Sequence, residues 1–159
     1  MGIFRGTTPQ ILQDLGVAGA TYQITLTLTP EQIRSLNSLP VDLVVPANAN
    51  TFLAPGEVVF VGAQGSGAYS SAPGPILQYS DTHALVSTLD DAASWDGSVA
   101  AVTITAAPLV EGDYSNTAQE FTGQLGLALQ ITSGGDVTDG DAPCTIILTF
   151  TSYDLTGLL

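Results

Sequence analysis

The chain has 159 residues, 45% hydrophobic and 11% charged, with 15 acidic residues against two basic ones and a formal net charge of -13. That length suits one domain with one sizeable core, and its apolar content offsets the entropy of folding, which excludes a disordered chain. There is no lysine, and the only arginines are Arg5 and Arg34. A surface so short of cations repels phosphate, which argues against nucleic acid and anionic membranes as partners.

Residues 1–20 show no sustained apolar period, and their apolar side chains are separated by glycines and polar residues. They lack the continuous apolar core of a secretory signal, and Gly6 stands where a myristoylation motif needs Ser or Thr. The expectation is an extended N-terminal arm that orders against a partner through Phe4, Arg5 and Ile11; a frayed terminus is the alternative. No apolar run reaches the roughly 18–20 residues that cross a bilayer, so a protein used without export is expected.

From residue 21 the pattern is that of strands. In 21–29 (TYQITLTLT), Tyr22, Ile24, Leu26 and Leu28 alternate with Gln23, Thr25, Thr27 and Thr29, giving one apolar and one hydroxyl-rich face. Thr29-Pro30-Glu31-Gln32 then has the layout of a capping box with proline at the first helical position, and predicts a short helix over 30–36 that turns Ile33 and Leu36 to the sheet. Further strands are expected at 40–45, 57–63, 75–79, 84–89, 99–106, 124–132 and 144–151, all rich in Val, Ile, Leu and Thr. Turn formers separate them, among them Pro46 to Asn50, Gly65-Ser66-Gly67, Pro73-Gly74-Pro75 and the run from Gly134 to Asp141. The expected fold is an all-β antiparallel sandwich or jelly roll of about 7–8 strands with one short helix, residues 21–159 forming a single domain.

The chemistry-bearing residues point away from catalysis. A single cysteine, Cys144, excludes an internal disulfide framework and multi-cysteine zinc sites, and its phase with Ile146 and Leu148 marks it as a buried small hydrophobe. A single histidine, His83, has no second His or Cys near it with which to hold a metal. Asp136, Asp139 and Asp141 crowd one loop, but D-x-x-D-G-D is not the order of an EF-hand, so a polar turn is expected there and calcium is the open alternative. Asp90, Asp91 and Asp96 form a second acidic turn. Gly62 to Ala68 lacks the lysine of a phosphate loop, and no G-x-S-x-G elbow is present. Neither an enzyme nor a cofactor or metal is expected. Trp95 sits in an Asp-rich turn, as a lid on the sandwich or as a contact residue.

One stretch carries a more specific signal. Thr29-Pro-Glu-Gln-Ile-Arg-Ser-Leu-Asn-Ser-Leu-Pro-Val-Asp-Leu-Val44 resembles the opening of a family of small tailed-bacteriophage virion proteins, and it is followed, as in that family, by a short Ala/Asn turn and a proline-preceded strand at 55–61. The similarity extends over about residues 24–155, through Gly67-Ala-Tyr69, Leu77-Gln-Tyr79 and the final Tyr153-Asp-Leu155. The resemblance implies a jelly-roll unit in the virion, most directly a capsid decoration (cement) protein on the capsid exterior that contacts the major capsid protein and assembles as a homotrimer. The alternative it leaves is a tail or head fibre module, in which Tyr69, Trp95 and Tyr114 would stack on host-surface glycans. A polysaccharide-degrading tail component is a third reading, and needs a pair of carboxylates in a cleft.

Overall fold

The alternation of Tyr22, Ile24, Leu26 and Leu28 turns these side chains to one face of the first strand, β1 (Gly19–Leu28), and burial rises along it from a half-exposed Tyr22 to a fully covered Leu28. The computed structural model describes residues 19–70, 74–81, 84–86, 97, 99–106, 125–135 and 137–158. After β1 come the helix α1 (Pro30–Ser35) and β2 (Val41–Val44), then β3 (Thr51–Gly62), β4 (Tyr69–Ser70), β5 (Pro75–Tyr79), β6 (Ala84–Val86), β7 (Ala101–Ala106), β8 (Leu129–Ser133), β9 (Thr138–Asp139) and β10 (Cys144–Asp154).

The strands form two four-stranded antiparallel sheets, ordered β1-β10-β3-β7 and β2-β8-β5-β6, and β4 pairs with β9 in a short separate ladder. Set that short ladder aside and number the remaining eight strands in chain order: the sheets then read 1-8-3-6 and 2-7-4-5. That is the strand order of a jelly roll. The expected all-β sandwich is what the chain forms. Apolar side chains from both sheets meet in one core, including Val58, Phe60, Ile146 and Leu148 from the first and Leu77, Tyr79, Leu129 and Ile131 from the second. Tyr79, fully buried, donates its hydroxyl to the Leu53 carbonyl at 2.7 Å, a bond that crosses from one sheet to the other.

The helix starts as its sequence dictates. Thr29 Oγ1 accepts from the Gln32 amide at 3.3 Å, and the Gln32 side chain accepts from the Thr29 amide at 2.9 Å. Two donors left open at the first turn are thereby satisfied, with Pro30 placed where no amide is needed. Ile33 and the C-cap residue Leu36 are fully buried, and Thr132 Oγ1 donates to the Leu36 carbonyl at 2.9 Å, tying the helix end to β8.

Several boundaries differ from the sequence reading, three of them for reasons the structure makes plain. β1 begins at Gly19, inside the expected arm, whose contact candidates Phe4, Arg5 and Ile11 lie outside the described residues. The strand expected at 57–63 starts at Thr51 and runs through Pro55, because β3 carries one extra residue there: Leu148 faces Val58, but Phe150 faces Pro55. A bulge is one of the few places where a proline is accommodated in a sheet. The strand expected at 124–132 starts only at Leu129, since Leu125 and Gly126 form a turn. Gly126 has φ +70° and donates its amide to the Thr51 carbonyl at 2.9 Å, so close to Ala49 that a Cβ would press on its backbone. The alternation of Leu125 and Leu127 reflects packing against the core from a turn.

Candidate functional site

Two places on the molecule concentrate unusual features: a clasp where several loops meet, and the outer face of the first sheet. The clasp is built on Asp141. Its Oδ1 accepts the backbone amides of Ser66 at 2.8 Å and Gly67 at 3.1 Å, and its Oδ2 accepts the Ser66 hydroxyl. Gly65 lies directly beneath the carboxylate, and its own amide donates to the Gly97 carbonyl at 3.0 Å. Donors from Ser66 and Gly67 hold the Asp141 carboxyl below the usual carboxylate range, with the Ser66 hydroxyl the largest contributor and desolvation opposing it.

Tyr69 pins the same loops from inside. Its ring is 4% exposed, its hydroxyl donates to the Ala142 carbonyl at 2.6 Å, and burial pushes the phenol up to about 12. Gly140, at φ +73°, passes against that ring with no space for a side chain. Its carbonyl accepts Nη1 of Arg34 at 2.7 Å, while Nη2 lies 3.4 Å from Glu31 Oε1 on the same helix. The clasp therefore joins α1, the 63–70 loop and residues 140–142 through a cation, a carboxylate and a phenol, and the Gly65 amide ties in Gly97.

These contacts place several of the residues named from the sequence. Tyr69, expected as a glycan-stacking or partner residue, is instead an interior pillar with its ring covered. Asp141 is engaged by the chain's own donors, and among the described residues no group of three or more His, Cys, Asp or Glu is placed to hold a metal ion. Asp139 sits one turn away at φ 57° and pairs through its backbone with Tyr69. Cys144 is buried as expected, its thiol pushed up to about 12 by burial, which suppresses the reactive thiolate. Trp95, Tyr114, His83, Asp90, Asp91, Asp96 and Asp136 lie outside the described residues. Arg34 was not singled out by the sequence reading: its partner is a carbonyl 106 residues away, and carbonyls leave no mark in a sequence.

A measurable pH effect follows from Asp141. Its proton is held less tightly in the folded chain, so its stabilisation is complete above the ordinary value of 3.8 and is lost as pH falls through the lower folded value. Asp141→Asn should therefore unfold at lower urea concentration than wild type at neutral pH, and the gap should narrow as the pH falls below the ordinary value of 3.8. Urea titrations at neutral pH and at successively more acid values check this; a gap that does not narrow in acid would contradict it.

The second feature is the outer face of β1-β10-β3-β7. Register places Thr27, Thr145, Val61 and Val102 in one row across the four strands, and Thr25, Ile147, Val59 and Ile104 in the next. Every one of these side chains is β-branched and uncharged. On the β1–β10 side, threonine hydroxyls bond across the strands, Thr27 to Thr145 at 2.8 Å and Thr21 to Thr151 at 3.0 Å. On the β7 side, Val102 and Ile104 are each 64% exposed. Glu57, at the bulge, is the nearest carboxylate in register on β3.

No family model and no curated protein matches this chain. What the residues themselves offer is a β-sandwich, a loop clasp closed by its own hydrogen bonds, and two adjacent rows of uncharged side chains across the outer face of one sheet. No helix among the described residues is long and apolar enough to cross a membrane.

Proposed function

We propose that the chain is a structural protein of a tailed-bacteriophage virion: a capsid decoration (cement) subunit, present in many copies on the capsid exterior, contacting the major capsid protein and associating with itself as a homotrimer. Its work is mechanical and needs no reaction, cofactor or metal. The observation that carries this reading is local. Residues 29–45, where the resemblance to virion proteins is strongest, form the capped helix and β2 that carry the chain from one jelly-roll sheet to the other. The resemblance thus falls on a unit that sets the topology, and jelly rolls recur in capsid shells as well as in lectins.

Charge supports an exterior position. A chain of net charge -13 is repelled by packaged DNA but meets no such barrier on the outside of a shell. Many weak contacts repeated over a lattice hold through avidity. The fibre alternative, a tail or head module that binds glycans, loses Tyr69 as a stacking platform and rests on Trp95 and Tyr114.

Stoichiometry tests the proposal. Quantitative mass spectrometry of purified virions should find this chain at a fixed large fraction of the major capsid protein. A ratio of a few per cent or less would reject decoration in favour of a fibre or tail position, and its absence from virions would reject both. Because the copies repel one another, their self-association should strengthen as salt screens the carboxylates. Sedimentation at low and high salt reads this directly, and weakening with salt would count against it.

A further inference from the structure

We infer that the Asp139–Gly140 bond is a site of spontaneous backbone isomerisation to a β-linked aspartate, that the clasp restrains this reaction in the folded chain, and that its completion unlatches the clasp. In an aspartate followed by glycine, side chain and main chain meet most readily, because no Cβ on the second residue shields its amide. Asp139 is exposed in β9, so water reaches its carboxyl. Among the described residues it is also the one non-glycine residue at positive φ, 57°, a conformation that L-residues adopt only at a cost.

The Gly140 nitrogen attacks Cγ of the protonated Asp139 carboxyl. A five-membered ring closes through the new N–Cγ bond, and the carboxyl hydroxyl leaves with the amide proton as water. A second water then adds to the Asp139 main-chain carbonyl carbon and breaks its bond to the Gly140 nitrogen. Water is released once and taken up once, so mass is unchanged, and one carboxylate replaces another, so charge is unchanged too. The main chain now runs through Cβ and is longer by one carbon, about 1.5 Å.

The fold opposes the ring closure. The Gly140 carbonyl accepts Arg34 Nη1 at 2.7 Å, the Tyr69 ring fills the space where a Cβ of Gly140 would stand, and Asp139 pairs through its backbone with Tyr69. Swinging the Gly140 amide onto Cγ turns the peptide between the two residues, which requires these contacts to be released. Reaction therefore proceeds from the locally open loop, at a rate set by how often the loop opens. Once it has occurred, the extra carbon displaces Gly140 from Arg34 and from the ring. It also shifts the next residue, Asp141, away from the Ser66 and Gly67 amides. The chain's other Asp-Gly bond, Asp96–Gly97, has its aspartate outside the described residues.

Incubating the purified full chain in native buffer and in urea, at one pH and temperature, tests the inference. Peptide mapping with electron-transfer fragmentation reads the β-linked fraction at residue 139. That fraction should grow at least about tenfold faster in urea than in native buffer. Arg34→Ala should speed the native reaction about fivefold, because the closed loop loses a hydrogen bond. Tyr22→Ala, toward the other end of the first sheet, should leave the native rate unchanged. In aged wild type, converted molecules should exchange the Ser66 and Gly67 amides at least about tenfold faster than unconverted ones. Absence of β-linked product at residue 139 in urea would overturn the site. Equal rates in urea and native buffer, equal rates in wild type and Arg34→Ala, or a Tyr22→Ala rate raised as far as that of Arg34→Ala would overturn the restraint. Unaltered exchange in converted molecules would overturn the unlatching. The chemistry is the chain's own and stands or falls apart from any place in a virion.

Discussion

Phe60→Ala should lower the stability of the chain by about 3–5 kcal/mol, and its thermal midpoint by roughly 10 °C or more. Phe60 is 2% exposed on the inner face of β3, directly opposite Ile146 of β10, and belongs to the core shared by both sheets. Removing the ring forfeits its transfer free energy and leaves a cavity that a closed sandwich cannot readily collapse into. The neighbouring residue supplies the control. Val61 points to the outer face, so Val61→Ala should cost only about 1 kcal/mol or less. Urea unfolding of the two variants measures the contrast, and similar losses would mean that the facing of β3 is wrong.

Gly140→Val should cost about 3 kcal/mol, and it acts on the clasp. At φ +73° a β-branched residue is strained by about 1–2 kcal/mol, and its side chain would also drive into the Tyr69 ring. The Arg34 bond to the Gly140 carbonyl and the Tyr69 bond to the Ala142 carbonyl would be displaced together. Gly67→Ala provides the comparison, for a Cβ there meets nothing within 4 Å, and the amide given to Asp141 is kept. It should change stability by less than about 0.5 kcal/mol. Chemical denaturation of the pair decides the matter: equal midpoints would show that the clasp does not stabilise the chain.

The sequence disclosed faces better than partners. Alternation in Tyr22 to Leu28 and in Cys144 to Phe150 correctly told which side chains turn inward, because the period of two is a local property of extended backbone. That these two strands lie side by side was not legible, since their residues are over a hundred positions apart and pairing leaves no periodic trace. The capping box around Thr29 was legible down to its hydrogen bonds, all of its members lying within four residues. Pro55 lies inside β3, where a proline ordinarily argues against a central strand, and only the bulge opposite Thr149, a tertiary feature, accommodates it. The clasp was visible in parts: Tyr69 and Asp141 each drew notice, for roles at the surface. Apart from the Ser66 hydroxyl, their joint role depends on Ser66, Gly67 and Ala142 offering backbone groups, which any residue type other than proline can do.

The place of β10 bears on how the protein is made. This strand is the last of those described, yet it lies inside its sheet, with β1 on one side and β3 on the other. While a ribosome is still extending the chain, β1 and β3 have no Cys144–Asp154 to pair with, and both leave ladder groups open to any passing strand. The sheet can close only after Cys144–Asp154 has emerged, through contacts of long sequence separation that form slowly. Chains interrupted before residue 144 are thus the species most exposed to aggregation, and rapid completion of synthesis protects the yield of folded protein.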